Sequence, residues 1–239
     1  TAWPPTSGDQ TLKISMPDTG NSDVIMIANI NNDTGEVKLV SVYRDTAMDV
    51  DGEGTLQKCN YAYNHGGPDQ AVEMLNRNLD LDIDGYVAAD FYALADVVDA
   101  LGGVEIELTN EEAAIMNQSY IHFVEDVVGR KSEEVAGGLQ TLDGIQTVSY
   151  CRIRYTAGDD FKRTERQRLV LSLLVDKVKE MNMFQMNDLI NAVFPNVATS
   201  FNLSQIIGMA SVMRDYELTE TRGYPFDMHV QSWRGRGDM

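Results

Sequence analysis

SDVIMIANINNDTGEVKLVSVYRDT, residues 22–46, is the stretch that decides the fold. SDVIMIANI reads as a buried strand, NNDTGE as a turn and VKLVSV as a second strand, which together predict a β-hairpin. Asp23 opens the first strand, and Arg44 and Asp45 close the second. Antiparallel pairing across a short turn sets those two ends side by side, so two acids and one cation meet at one edge of the sheet. Either acid alone would be strand-end punctuation. With an arginine between them, they supply the hard oxygens and positive charge that a magnesium-plus-phosphate site needs.

Outward from the hairpin, KCNYAYNHGGPDQAVEMLNRNL places Pro68 in the first turn of a helix whose apolar stripe is Ala71, Val72, Leu75 and Leu79. Lys58 and Asn60 lie just before it, in a segment returning towards the sheet. His65 sits in a Gly-rich turn without a matching Ser or Asp motif, and a histidine needs positioned partners to act as acid or base. IDGYVAA predicts a strand, Asp90 an N-cap for FYALADVVDALGG, and VEIEL a further strand. This alternation predicts an α/β layer architecture. Residues 110–135 begin helically and then lose a clean period; they read as an insertion packed on the core, or as a region where Ile121, Phe123, Val127 and Val128 wall an apolar cavity. GLQTLDGIQTVSY predicts a short helix starting near Thr141 or Asp143. A long helix follows from Phe161 to about Met181 with Leu169 and Leu173 inward, then two amphipathic helices near Met186–Asn196 and Ser204–Tyr216.

CRIRYTAGDDFKRTERQR, residues 151–168, holds six of the nineteen Lys and Arg residues of a chain with net charge −18. On an extended segment Arg152 and Arg154 project to one side. On the helix after it, Arg163 and Gln167 stand one turn apart on one face. TAGDD between them is turn-like, so guanidiniums from a strand end and a helix start converge on one anion, which arginine forks match bidentately. The alternative is a solvated basic helix face with Asp159, Asp160 and Glu165 as ion-pair partners; R-x-R followed by D-D-x-x-R-x-x-x-Q favours the phosphate-type site.

With 239 residues and 43% hydrophobic content, the chain is read as one domain with a sizeable core. The acidic balance, with a pI near 4.4, argues against nucleic acid as a partner and predicts that a phosphate ligand comes with a divalent cation. No apolar run approaches the roughly 18 residues of a membrane span.

Assembled in order, NSDVIMIANINNDTGEVKLVSVYRDT, KCNYAYNHGGPDQAVEMLN, DALGGVEIEL and GLQTLDGIQTVSYCRIRYTAGDDFKRTERQR resemble the LytR-CpsA-Psr family of bacterial cell-wall proteins. The resemblance implies an α-β-α sandwich with a central mixed β-sheet, tethered outside the membrane of mostly Gram-positive bacteria by an anchor upstream of residue 1. It implies transfer of a glycopolymer, such as teichoic acid or capsular polysaccharide, from a polyprenyl-pyrophosphate carrier to peptidoglycan, using Mg2+. Carried over by motif, Asp23 binds the metal, and Arg44, Arg152, Arg154, Arg163 and Gln167 bind the pyrophosphate. Lys58 and Asn60 are weaker transfers to the same group, Arg44, Asp45 and Arg163 are the catalytic candidates, and Asp45 or Asp160 are the candidate bases.

The sequence departs from the family pattern at its start. The family's first strand ends in Gly-x-Asp, whose Asp is a second metal ligand, and TAWPPTSGDQ stands in its place. Asp9, by its spacing to Asp23, is the candidate substitute; the other reading is that the first strand is lost or altered. Family members also continue past residue 239, so a terminal strand is expected beyond it. Cys59 and Cys151, the only cysteines, have no zinc-site spacing and leave one disulfide or two free buried thiols. Each precedes a residue of the same candidate site, and an extracellular location is oxidising, so the expectation leans to a disulfide.

Overall fold

The computed structural model describes residues 20–154, 159–226, 232–233 and 237–238. The hairpin forms as its sequence predicts. β1 (Met26–Ile30) pairs antiparallel with β2 (Glu36–Val42) in the register Met26↔Ser41 to Ile30↔Val37. Gly35 closes the turn at φ +73°, where its amide donates to Asn31 O at 2.8 Å. A Cβ there would also lie 2.5 Å from Asp215 O, so the position needs glycine on two counts.

After β2 come the short antiparallel pair β3 (Ala47–Asp49) and β4 (Leu56–Lys58), and α1 (Tyr61–Leu79), which is kinked at Gly66 and Gly67 so that a regular helix resumes at Pro68. β5 (Val87–Ala89) leads to α2 (Phe91–Ala100), capped by Asp90, whose Oδ1 accepts from Ala93 N at 2.8 Å. β6 (Val104–Leu108) is followed by α3 (Asn110–Ile115), a π-helical turn (Met116–Tyr120) and α4 (Ile121–Val128), and then by β7 (Gly138–Leu142), which pairs antiparallel with β6. The insertion at 110–135 is thus helical over 110–128 and irregular after it, and Ile121 and Val128 are core residues.

α5 (Gly144–Arg152) starts at an Asp143–Gln146 capping box and runs through the first arginine of R-x-R. This corrects the extended reading of that segment. The short helix expected here runs from its cap through Arg152, and burial on every side keeps it: Gly144 to Cys151 are all buried. α6 (Asp159–Glu180) buries Arg163, Thr164, Arg166, Gln167, Val170 and Leu174. Leu169, expected inward, is exposed, because the inward stripe is occupied at its start by polar groups and passes through Val170 instead. α7 (Met183–Val193), β8 (Val197–Thr199), α8 (Leu203–Val212), β9 (Glu217–Tyr224) and the two-residue antiparallel pair β10 (Ser232–Trp233) and β11 (Gly237–Asp238) complete the order, with Asn182 and Asn202 capping α7 and α8. β9 lies parallel to β2, giving a mixed sheet of order β1-β2-β9. The α/β reading with a mixed sheet therefore holds.

Two apolar clusters carry the fold. The larger joins α2, β6, α3, α4, α5 and α6 around Val98, Val104, Met116, Val124, Leu142, Ile145 and Ile153. The smaller packs Val42, Met48, Val50, Cys59, Ala62, Met74 and Leu75 between the end of the sheet and α1. Cys59 belongs to the smaller cluster and Cys151 to the larger, and both are free thiols. The disulfide expectation is therefore overturned: adjacency of Asn60 and Arg152 to one site does not carry over to the preceding residues, whose side chains turn back into separate cores. Burial pushes both thiols up to about 12. A thiol titration without reductant should find both cysteines on denaturation and neither reacting readily in the native protein; recovery of no thiols after denaturation would restore the disulfide.

Candidate functional site

The site lies where the two clusters meet. On the side of the smaller one, the turn after β2 is fixed by its own hydrogen bonds: Thr46 N donates to Tyr43 O at 2.9 Å, Cys59 N to Thr46 O at 2.8 Å, and Asn60 N to Arg44 O at 3.2 Å. The Cys59 thiol donates to the same two carbonyls, Tyr43 O at 3.4 Å and Arg44 O at 3.3 Å. The turn therefore holds Arg44 by its backbone and leaves the guanidinium to reach Asp23, Nη1 to Oδ1 3.0 Å. Asp45 pairs with Lys58, Oδ1 to Nζ 3.1 Å, with Arg44 Nε at 3.9 Å from the same oxygen. The hairpin argument placed Asp23, Arg44 and Asp45 together, and the structure does so, with Lys58 added from β4.

From the larger cluster, Arg152 at the end of α5 approaches the other oxygen of Asp23, Nη1 to Oδ2 3.5 Å. Its guanidinium lies 4.6 Å from the Phe91 ring centroid and 4.5 Å from that of Phe123. Two aromatic faces hold it by cation–π attraction and limit its rotamers. Phe123, expected as cavity wall, instead supports an arginine; neither ring was legible as part of the site, because their contact with Arg152 is tertiary. Arg163 and Gln167 stand on the buried face of α6, at 4% and 7% exposure. Gln167 Nε2 donates to Cys151 O at 3.2 Å, tying α6 to the end of α5. Arg154 is held through its backbone, its N–H donating to Tyr120 Oη at 3.2 Å.

Asn60 is buried at 4% exposure and lines an open cleft of about 250 Å³ with Asn21, Gln57, Lys58 and Tyr61. Among the described residues, Arg44 Nε, Arg152 Nε and Asn60 Oδ1 are buried without a hydrogen-bond partner. Buried polar atoms in native proteins are ordinarily paired, so these three are available to bond a ligand or water. Asp9 lies outside the described residues, as does the side chain of Asp160. Chemically, the arrangement is an arginine pocket closed over one carboxylate, able to exchange that internal anion for an external one.

A sequence profile of the LytR_cpsA_psr family matches residues 9–228. The chain belongs to this family. It is 31% identical over 199 residues to the polyisoprenyl-teichoic acid–peptidoglycan teichoic acid transferase TagU of Enterococcus faecalis, covering 82% of this chain and 59% of that protein. The crystal structure of Bacillus subtilis TagT is 25% identical with a TM-score of 0.69, covering 90% of this chain and 77% of that one. TagT bound to LIIa-WTA gives the same identity and coverages with a TM-score of 0.70. This LytR_cpsA_psr chain thus spans about three-fifths of the length of the TagU relative.

Asp23 is the shared counterion of two guanidiniums, so Asp23→Ala leaves Arg44 and Arg152 facing each other without it. The variant should melt at lower temperature than wild type, and millimolar inorganic pyrophosphate should raise its Tm by more than it raises that of wild type. A pyrophosphate-independent Tm in both proteins would contradict an exchangeable anion pocket here.

Proposed function

We propose that this domain transfers a glycopolymer from a polyprenyl-pyrophosphate carrier to peptidoglycan at the cell envelope. The observation that carries the reading is the convergence of Arg44 and Arg152, from distant parts of the chain, on the single carboxylate of Asp23, with their buried Nε donors making no hydrogen bond. Family membership, the likeness to a polyisoprenyl-teichoic acid–peptidoglycan teichoic acid transferase and the likeness to TagT, itself solved bound to LIIa-WTA, support the same substrate class.

The chemistry is phosphoryl-type transfer. An acceptor hydroxyl oxygen of peptidoglycan forms a bond to the phosphorus that carries the glycopolymer. The bond from that phosphorus to the bridging oxygen breaks, polyprenyl phosphate leaves, and the hydroxyl proton passes to a base, for which Asp45 is the candidate. Arg44, Arg152 and Arg163 bind the pyrophosphate oxygens and stabilise the charge that builds on the leaving phosphate; such catalysis is mostly positioning and electrostatics. Lys58 pairs with Asp45, Nζ to Oδ1 3.1 Å, which keeps that carboxylate beside Arg44 as the candidate base.

Mg2+ fits these residues as a shared ion. Asp23 is 43% exposed and offers hard oxygens. That is the donor set expected when magnesium is held by one or two carboxylates together with substrate phosphates. Bound there, the ion would neutralise pyrophosphate charge. The membrane enters through the lipid substrate, and no helix among the described residues is long and apolar enough to cross a bilayer.

The test is to incubate the protein, with and without magnesium, with a short lipid-linked pyrophosphate saccharide and a peptidoglycan oligosaccharide, and to identify products by mass spectrometry. A magnesium-dependent phosphodiester-linked conjugate is expected. Arg163→Ala should lower its rate by about 100-fold or more, while Arg222→Ala, on exposed β9, should leave it unchanged. Free sugar phosphate as the sole product would mean hydrolysis, bound but unconverted lipid a carrier, and equal losses in the two variants a misplaced site.

A further inference from the structure

Arg166 belongs to the cationic stretch yet does not face the anion pocket. It is 7% exposed, its Nε donates to Glu112 Oε1 at 2.9 Å, its Nη1 donates to Ile153 O at 3.2 Å, and its guanidinium carbon lies 5.7 Å from the Tyr150 ring centroid. Ile153 is the residue between Arg152 and Arg154. It leaves the helical conformation at φ −55°, ψ 126°, and so ends α5. The last carbonyls of a helix have no partner within it and must find one elsewhere. In this segment they do so through side chains of other elements: Cys151 O takes Gln167 Nε2 and Ile153 O takes Arg166 Nη1, while the N–H of Arg154 is taken by Tyr120 Oη.

Glu112 is the fixed end of this arrangement. It is the N3 residue of the α3 capping box: its Oε2 accepts from Thr109 N at 3.0 Å and from Thr109 Oγ1 at 2.9 Å, while Oε1 is left for Arg166. Burial works to raise its pKa, but the bonds from Thr109 and Arg166 outweigh it and hold the carboxyl below the usual range. The pair is anchored at one end by a helix cap and at the other by a peptide carbonyl of the R-x-R segment.

We propose that the Glu112–Arg166 ion pair is a positioning device: it clamps the Ile153 carbonyl, with Tyr120 and Gln167 on the adjoining peptides, and thereby sets where Arg152 and Arg154 present their guanidiniums to the pyrophosphate. The proposal rests on reading the arginine pocket as a pyrophosphate site. Arg166 is then a positioning residue and not a ligand. A clamp of this kind acts on both arginines together, since displacing one backbone segment moves two side chains out of register with the ligand.

Glu112→Gln separates positioning from charge. A glutamine at N3 still completes the capping box through its carbonyl oxygen, but its NH2 group then faces the Arg166 Nε donor and the clamp is lost. Removal of a negative charge near an anion pocket should by electrostatics alone tighten anion binding; loss of the clamp weakens it. The experiment is calorimetric titration of the whole chain with inorganic pyrophosphate in the presence of magnesium. Glu112→Gln should bind about tenfold more weakly, the loss expected for one hydrogen bond to a charged group. Glu111→Gln, which removes the same charge from the neighbouring exposed residue, should bind as wild type or slightly tighter. Arg152→Ala should cost less in the Glu112→Gln background than in wild type. If Glu112→Gln does not fold, Tyr120→Phe, which removes only the hydroxyl that holds the Arg154 amide, carries the same expectation of weakening. Wild-type affinity in a folded Glu112→Gln or, failing that, in Tyr120→Phe overturns the clamp alone. Failure of the unmutated chain to bind pyrophosphate overturns it together with the function it rests on.

Discussion

Asp23 is shared by two arginines that come from opposite halves of the molecule, and the geometry of the site depends on that sharing. Arg44 is fixed by a turn packed on the smaller apolar cluster, and Arg152 by the end of a helix buried in the larger one. Brought together without a counterion, the two guanidiniums would repel across a partly desolvated gap where water screens poorly. The carboxylate removes that cost and marks the place where an external anion, richer in oxygens than one carboxylate, can take over the same donors. In a chain of net charge −18 such a pocket is also selective, because the surrounding field discourages polyanions that the arginines do not reach directly.

Much of the site was legible because it follows from local geometry. A six-residue turn between two apolar runs fixes which strand ends meet, so the proximity of Asp23 to Arg44 and Asp45 comes from the hairpin alone. Arg163 and Gln167 follow from the 3.6-residue period of α6. Asp90 and Asp143 are caps that any helix start signal would find. These inferences needed no knowledge of what packs on what.

The rest was hidden for identifiable reasons. The helix expected from Asp143 runs on through Cys151 and Arg152 before Ile153 leaves it, which changes how Arg152 and Arg154 are presented. β9 was not read as a strand because ELTETRGY is polar and mostly exposed, a pattern suited to an edge beside β2 but without the apolar alternation that announces a strand. The contact of Arg166 with Glu112 spans 54 residues of sequence and has no periodic signature. The disulfide expectation failed for a related reason: neighbouring residues on a chain can face one site and two different cores at once.

The central claim is that the pocket where Arg44 and Arg152 share Asp23 binds pyrophosphate by displacing or joining that carboxylate. The most direct measurement is an experimental structure of this chain with a short polyprenyl pyrophosphate and magnesium. The account predicts phosphate oxygens within hydrogen-bond distance of the Arg44 and Arg152 guanidiniums, with Asp23 turned towards the ion. A pyrophosphate bound elsewhere on the surface, with Asp23 still paired to both arginines, would contradict it.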